Sequence, residues 1–200
     1  MNILHIITSP SAANSFSINL GNAIVEKLRK ANPDSSLVIR NLAAQPLPHY
    51  DAVHQNSIFT PIEDQSPEEV AVTNKSDEVI AELLAADVIV IGVPMYNFGI
   101  PSTLKSWIDY IARPGKTFNY TAAGPTGLVT GRTAYLAIST GDVYSTQELK
   151  DWDHTENYLR TVLSSFLGLN IQTVRVEGTV LPGIKEHALE RAMQSVMEIV

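Results

Sequence analysis

The stretch DVIVIGV, residues 87–93, decides the fold, because it is a nearly continuous apolar run. A strand without polar alternation must be covered on both faces, which is typical of the centre of a parallel sheet. Four more short apolar segments are predicted strands, namely residues 2–8, 36–41, 132–139 and 171–177. The segment at 36–41, SLVIRN, is less apolar and is expected nearer an edge.

Helix-length amphipathic segments alternate with these strands. Ser15 or Ser17 can cap the first helix. Ser66 and Glu69 form a capping-box pattern before the second helix, and Pro101 opens the third. Two further segments near the C-terminus also have helical spacing.

Two parts of the chain stand outside this alternation. Residues 117–130 are expected to form a hairpin-like excursion. Residues 42–60, which contain two prolines, are expected to form an irregular excursion. Five strands alternating with five helices predict an α/β fold with a doubly wound five-stranded parallel sheet and helices on both faces. A single domain is expected over residues 1–200.

Composition and charge exclude several classes of function. The chain has no cysteine, which rules out disulfides and thiol chemistry, and its net charge of −7 argues against nucleic acid and anionic membranes. No apolar run approaches the ~18 residues of a membrane span. Residues 1–25 contain no Lys or Arg for the start of a signal peptide. We therefore expect a cytoplasmic protein with no nucleic-acid or membrane partner.

In a doubly wound sheet, ligands bind beyond the carboxyl ends of the strands, which points to the loops after residues 8, 93 and 139. The first loop, TSPSAANSFS at 8–17, is hydroxyl-rich, uncharged and leads into a helix N-terminus. Such a terminus binds phosphate, and the hydroxyls of Ser9, Ser15 and Ser17 can add donors. The sequence contains neither the phosphate-binding motif G-x-x-x-x-G-K-[ST] nor the dinucleotide-binding motif G-x-G-x-x-G. Their absence favours a mononucleotide as the ligand. A capped helix after a polar turn remains an alternative.

The second loop, PMYNFGIP at 94–101, contains two aromatic side chains, a thioether and an amide. Apolar side chains at a strand end are exposed unless something covers them. A planar heterocycle would cover Tyr96 and Phe98, while Asn97 offers a donor and an acceptor to a ring edge. The alternative is that the two rings pack beneath a neighbouring loop.

The third loop, STGDVY at 139–144, contains a glycine turn. Gly141 allows a positive φ and a close approach of backbone N–H groups to a ligand, although Gly-Asp alone is an ordinary turn. A phosphate site, an aromatic clamp and a glycine turn together describe a pocket for flavin mononucleotide (FMN).

The same residues carry a family resemblance over essentially the full chain. The sequence resembles the FMN-dependent NADH azoreductases, also described as FMN-dependent NADH:quinone oxidoreductases, of the flavodoxin-like fold. The most specific matches are PMYNF at 94–98 and GLVTG at 127–131. The segments SFS at 15–17, TFNYT at 117–121 and STG at 139–141 match as well.

The resemblance implies a set of site residues. The FMN phosphate would be held by Ser9, Ser15, Phe16 and Ser17. The flavin ring would be lined by Met95, Tyr96, Asn97 and Phe98, and closed on its other side by Ser139, Thr140, Gly141 and Asp142. The substrate side would be formed by Tyr120, Phe98 and Val162. Thr140-Gly141-Asp142 and Val162 depart from the family pattern, which bears on substrate range.

The resemblance also implies a function. A homodimer with flavin pockets at its interface would use FMN and NADH, in preference to NADPH, for ping-pong two-electron reduction of quinones and azo compounds, with cleavage of the azo bond to aromatic amines. No catalytic side chain and no metal are expected, because the flavin carries the chemistry at its N5. The alternative is an FMN electron carrier or binding module without NADH turnover. A hydrolase is disfavoured because no G-x-S-x-G elbow occurs.

The histidines are scattered without the spacing of a metal site. His5, inside a strand, is expected to be a hydrogen-bonded structural residue. His49, His54 and His154 are expected in solvated loop positions. Asp151 and Asp153, beside Trp152, are expected to cap the entry of a helix rather than form a site.

Overall fold

Seven strands are present in the computed structural model, which describes residues 1–198. They are β1 (Asn2–Ile7), β2 (Ser36–Asn41), β3 (Val88–Pro94), β4 (Phe118–Thr121), β5 (Gly124–Gly127), β6 (Thr133–Ser139) and β7 (Asn170–Val176). Five of them form one sheet in the order β2-β1-β3-β6-β7, in which all neighbours are parallel. The predicted sheet is confirmed, with β3 at its centre and β2 at an edge.

Six α-helices accompany the strands. They are α1 (Phe16–Ala31), α2 (Ala52–Phe59), α3 (Pro67–Ala85), α4 (Ser102–Ile111), α5 (Glu156–Leu159) and α6 (Lys185–Val196). α5 continues into a π-helical segment, Arg160–Phe166. One core cluster joins α1 and α6 to one face of the sheet, and a second joins α3, α4 and the π-helical segment to the other. Within residues 1–198, no helix has the length and apolar character needed to cross a membrane.

Helix α1 packs directly against the centre of the sheet. Its buried side chains Leu20, Ile24 and Leu28 pack against β1, β3 and β6. A Cβ on Gly92 of β3 would lie only 3.1 Å from the carbonyl oxygen of Ser17, so a larger residue would push the first turn of α1 away. The missing side chain therefore lets the N-terminus of α1 sit at the carboxyl edge of the sheet.

The prediction of an irregular chain over residues 42–60 is wrong in its second half, where α2 forms. Asp51 caps this helix, because its Oδ1 accepts a hydrogen bond from the N–H of His54 at 2.8 Å. The buried residues of α2 are His54 and Ser57, so the apolar stripe that normally reveals a helix is absent. The expectation of a solvated His54 is also wrong, since its ring is buried between Tyr50 and Tyr110.

The predicted excursion is a two-stranded antiparallel hairpin of β4 and β5. Gly127 of β5 touches the chain at the end of the π-helical segment. A Cβ on Gly127 would lie 2.2 Å from the carbonyl carbon of Leu167, so only glycine fits there. Phe118 of β4 is buried, with its ring centroid 4.2 Å from that of Phe166. The hairpin is therefore fixed to the π-helical segment.

His5 of β1 is buried on the face of the sheet that α1 covers. Its Nε2 lies against Gly21 of α1 and has no hydrogen-bond partner within the described part of the chain, so the expected hydrogen bond is absent. Burial disfavours the charged ring and lowers the pKa of His5 from 6.5 to about 4. The histidine therefore remains neutral in the folded protein at neutral pH.

We predict that His5 makes stability depend on pH. The unfolded chain takes up a proton on this ring near pH 6.5, whereas the folded protein does so only near pH 4. As the pH falls from 6.5 to about 4, the free energy of unfolding should decrease by roughly 3 kcal/mol. Above pH 6.5 this contribution to stability should be fully present. Urea titrations at several pH values should show a flatter dependence in His5→Leu. The exposed His187→Leu is the control, and an unchanged slope in His5→Leu would contradict the prediction.

Candidate functional site

The three loops singled out by the sequence meet at the carboxyl edge of the sheet. They follow β1, β3 and β6, which are neighbours. The hydroxyl of Thr8 donates a hydrogen bond to the carbonyl oxygen of Gly92 at 2.7 Å. The N–H of Met95 donates to the carbonyl oxygen of Ser139 at 2.8 Å. These bonds tie the three loops together at the point where the order of strands reverses. The structure therefore brings together the residues predicted for phosphate and ring binding.

The first loop forms a neutral cradle around the start of α1. Ser9, Ser15 and Ser17 are all buried. The Oγ of Ser15 accepts a hydrogen bond from the N–H of Ile18 at 3.4 Å and lies 3.0 Å from the Oγ of Ser17. The helix cap leaves the N–H groups of Phe16 and Ser17 without a partner in the described residues. A helix N-terminus with free donors and no carboxylate suits a dianionic phosphate.

The second loop is a tight turn in a strained conformation. Tyr96 and Gly99 exchange two backbone hydrogen bonds, of 2.9 and 3.1 Å. The two residues between them, Asn97 and Phe98, have positive φ angles of 49° and 67°. This conformation is costly for a bulky residue such as phenylalanine, and strain of this kind concentrates at ligand sites. We call residues 96–99 the aromatic turn.

The aromatic turn is held from outside by the loop after β6. Tyr144 and Trp152 stand edge-on to the ring of Phe98, with centroid distances of 6.4 and 5.6 Å. The carbonyl oxygen of Phe98 accepts a hydrogen bond from the N–H of His154 at 3.1 Å. Phe98 and Tyr96 each remain 43% exposed, so the turn keeps apolar surface available to a planar ligand. Phe98 thus packs against a neighbouring loop, as the alternative predicted, but neither ring is fully covered.

The third loop is shaped differently from the expectation. Gly141 does not have the positive φ that the sequence suggested, whereas Asn97 and Phe98 in the aromatic turn and Ala12 in the first loop do. The Oγ1 of Thr140 donates to the carbonyl oxygen of Asp142 at 2.7 Å, and the Oδ1 of Asp142 accepts from the N–H of Val143 at 2.7 Å. Asp142 therefore closes the turn locally. Ser139 and Thr140 are buried beside it.

Tyr120 and Val162, predicted on the substrate side, lie on the hairpin and on the π-helical segment. Tyr120 is on β4 and is 74% exposed. Val162 lies on the π-helical segment and packs, half-buried, against the core. The hairpin and the π-helical segment contact each other. A cleft of about 510 Å³ opens nearby between α4 and α5, next to the aromatic turn, and is lined partly by Ile100 and Tyr158.

A buried ion cluster beside the third loop was missed from the sequence. Arg175 of β7 contacts Asp153, Glu156 and Glu177. Burial raises the pKa of Glu156, but hydrogen bonds from Thr173, Arg175 and Arg160 outweigh it, and the net pKa is lowered. The predicted cap is confirmed for Asp153, whose Oδ1 accepts from the N–H groups of Thr155 and Glu156 at the start of α5. Arg175 is the one charged residue within β7, and that charge was the available signal.

Tyr144 is a titratable group whose ring contacts Phe98 of the aromatic turn. Desolvation raises the pKa of its phenol, and the negative charges of Asp142 and Asp153 act in the same direction. The phenol therefore keeps its proton at neutral pH and can donate a hydrogen bond. Its ring also contacts Phe98, which places that donor at the border of the site.

Comparison with known proteins first identifies the fold class of the chain. The family model described as Flavodoxin-like fold matches residues 1–200. The structure is also similar to the azoreductase from Bacillus anthracis str. Sterne, with a TM-score of 0.92, 27% identity and coverage of 100% of this chain and 98% of that one. The chain is therefore a flavodoxin-like α/β protein, as the sequence predicted.

Closer relatives define the group within that class. The FMN-dependent NADH:quinone oxidoreductase of Mesorhizobium japonicum (strain LMG 29417 / CECT 9101 / MAFF 303099) is 42% identical over 202 residues, covering 100% of this chain and 96% of the relative. The FMN-dependent NADH-azoreductase of Bacillus anthracis str. Ames Ancestor, solved in complex with FMN, has a TM-score of 0.89 at 27% identity and covers 99% of this chain and 97% of that one. The chain belongs to the family of FMN-dependent NADH:quinone oxidoreductases, which confirms the predicted resemblance.

Proposed function

We propose that this protein binds FMN and catalyses two-electron reduction of quinones and azo compounds with NADH as donor. The observation that carries the proposal is the uncharged N-terminus of α1 beside the strained aromatic turn, at the ends of adjacent strands. The family relationship supports the same assignment. A phosphate cradle without a lysine suits a single phosphate group, and the exposed rings of Tyr96 and Phe98 suit a planar ring system.

Each group of residues has a separate task in this proposal. The N–H groups of Phe16 and Ser17 and the hydroxyls of Ser9 and Ser15 hold the phosphate. Met95, Tyr96, Asn97 and Phe98 line one side of the flavin ring, and the 139–142 turn lines the other. Bound FMN supplies two-electron transfer between the nicotinamide and the acceptor. The protein supplies orientation, a partly dry pocket and backbone donors for developing negative charge.

We predict direct reduction of the holoprotein by NADH. Purified protein reconstituted with FMN should be yellow, bleach on anaerobic titration with NADH and regain its colour when menadione or an azo dye is added. Initial rates should give parallel double-reciprocal lines, as expected when donor and acceptor occupy one site in turn. Titration with NADPH serves as the comparison and should be less effective. A yellow protein that NADH leaves oxidised would favour the electron-carrier alternative.

We predict that a negative charge in the first loop weakens FMN binding. Asn14→Asp adds a carboxylate to the loop that approaches the phosphate, which should cost about 1 kcal/mol, or roughly a fivefold rise in Kd. Asn22→Asp, which adds the same charge further along α1, is the matched control and should leave the Kd nearly unchanged. Quenching of FMN fluorescence measures both. Riboflavin, which has no phosphate, should bind both variants as it binds the wild type; equal FMN affinities would contradict the phosphate assignment.

We also propose a homodimer with the flavin pockets at its interface. Tyr120 of the hairpin is 74% exposed and Leu128, directly after β5, is 39% exposed, and apolar surface of this kind is typically covered by a partner. Sedimentation equilibrium of the holoprotein should give twice the chain mass of 21.8 kDa. Tyr120→Ser should raise the dimer dissociation constant about tenfold, because aromatic residues commonly anchor interfaces. Val38→Ser, on edge strand β2, is the control, and a monomeric wild type would contradict the proposal.

A further inference from the structure

Arg175 occupies an unusual position at the edge of the sheet. It lies on β7, opposite Ile138 of β6, and its side chain is only 16% exposed. Its guanidinium contacts three carboxylates: Asp153, Glu156 at 2.8 Å and Glu177 at 3.1 Å. Two of these carboxylates bind the backbone of the loop after β6, so the guanidinium is connected to the site through them.

Glu177 connects Arg175 to the beginning of that loop. Its Oε1 accepts hydrogen bonds from the N–H groups of Tyr144 at 2.9 Å and Ser145 at 3.0 Å. The same oxygen accepts from the guanidinium. Bonds between charged and neutral groups are stronger than ordinary ones, so Glu177 fixes the position of Tyr144.

Asp153 connects Arg175 to the end of the loop. Its Oδ1 accepts from the N–H groups of Thr155 and Glu156 at 2.9 and 3.0 Å, while its Oδ2 binds the guanidinium. The neighbouring residue His154 donates its N–H to the carbonyl oxygen of Phe98. One guanidinium therefore fixes both ends of residues 144–153, and that segment carries the two rings that stand against Phe98.

We propose that Arg175 is a positioning residue that holds residues 144–153 against the aromatic turn and so preorganises the flavin pocket. This inference rests on the proposed binding of FMN. Without the guanidinium, three carboxylates would face one another in a partly buried space, and their repulsion would push the segment away from the turn. Tyr144 and Trp152 would then no longer support the positive φ of Phe98, so the competent conformation would be less populated.

A second arginine in the chain serves as a control that separates a positioning role of Arg175 from a general contribution to stability. Arg40 lies on β2, the opposite edge strand, and its side chain is 12% exposed. It binds two carboxylates of α3, Glu82 at 2.5 Å and Glu78 at 2.6 Å. Arg40→Gln therefore removes an arginine that is about as little exposed as Arg175, from an ion cluster that does not touch the aromatic turn.

The test compares Arg175→Gln with Arg40→Gln. If the ordered segment falls to about one tenth of the population, the apparent Kd for FMN rises about tenfold, whereas Arg40→Gln should stay within about twofold of the wild type. Trypsin cleavage of the apoprotein after the exposed Lys150 should accelerate in Arg175→Gln alone. Arg175→Lys should restore part of the affinity, because one ammonium can bind some of the carboxylates. Equal FMN affinity and equal cleavage in Arg175→Gln and Arg40→Gln would overturn the inference.

Glu177→Ala covers the case in which Arg175→Gln does not fold. This variant removes only the acceptor for Tyr144 and Ser145 and leaves Arg175 with two carboxylates. It should also weaken FMN binding and expose Lys150, and wild-type behaviour would overturn the inference. If the wild type binds no FMN, the proposed function is contradicted. If the wild type binds FMN and both arginine variants bind it equally tightly, only the role of Arg175 is overturned.

Discussion

The close approach of α1 to the centre of the sheet is the constraint on which the site depends. Gly92 has no side chain, so the first turn of α1 lies beside the end of β3. The first loop connects this turn to β1, and the free N–H groups of the turn therefore lie at the place where the strand order reverses. A bulkier residue at position 92 would displace the helix terminus. The phosphate cradle thus originates in packing within the core rather than in the loop alone.

Strain and support are divided between two segments. The aromatic turn holds Asn97 and Phe98 at positive φ, a conformation that short-range forces disfavour. Its outer side is supported by rings and a backbone hydrogen bond from the loop after β6. That loop is in turn fixed by charged groups on β7 and α5. The shape of the pocket therefore depends on residues that are far from the turn in sequence.

Most of the fold could be predicted because its elements carry strong local patterns. The run at 87–93 required a central parallel strand, and the convergence of three loops then followed from the topology alone. Helix α2 has no apolar stripe to predict it, because its buried residues, His54 and Ser57, are polar. Gly141 suggested a positive φ that the chain instead adopts at Asn97 and Phe98, where no glycine marks it. The Arg175 cluster joins residues from β7, α5 and the loops, and no spacing in the sequence reveals such pairing.

The two enclosed arginines have a consequence for association of the sheet itself. Arg40 and Arg175 lie on β2 and β7, the two outer strands, and each is bound to carboxylates of a neighbouring helix or loop. An open parallel sheet leaves unpaired backbone groups along both of its borders, and these can recruit a strand from another molecule. A strand added at either border would have to pass next to a fixed charge. The same ion clusters that order the fold therefore also protect both borders against aggregation.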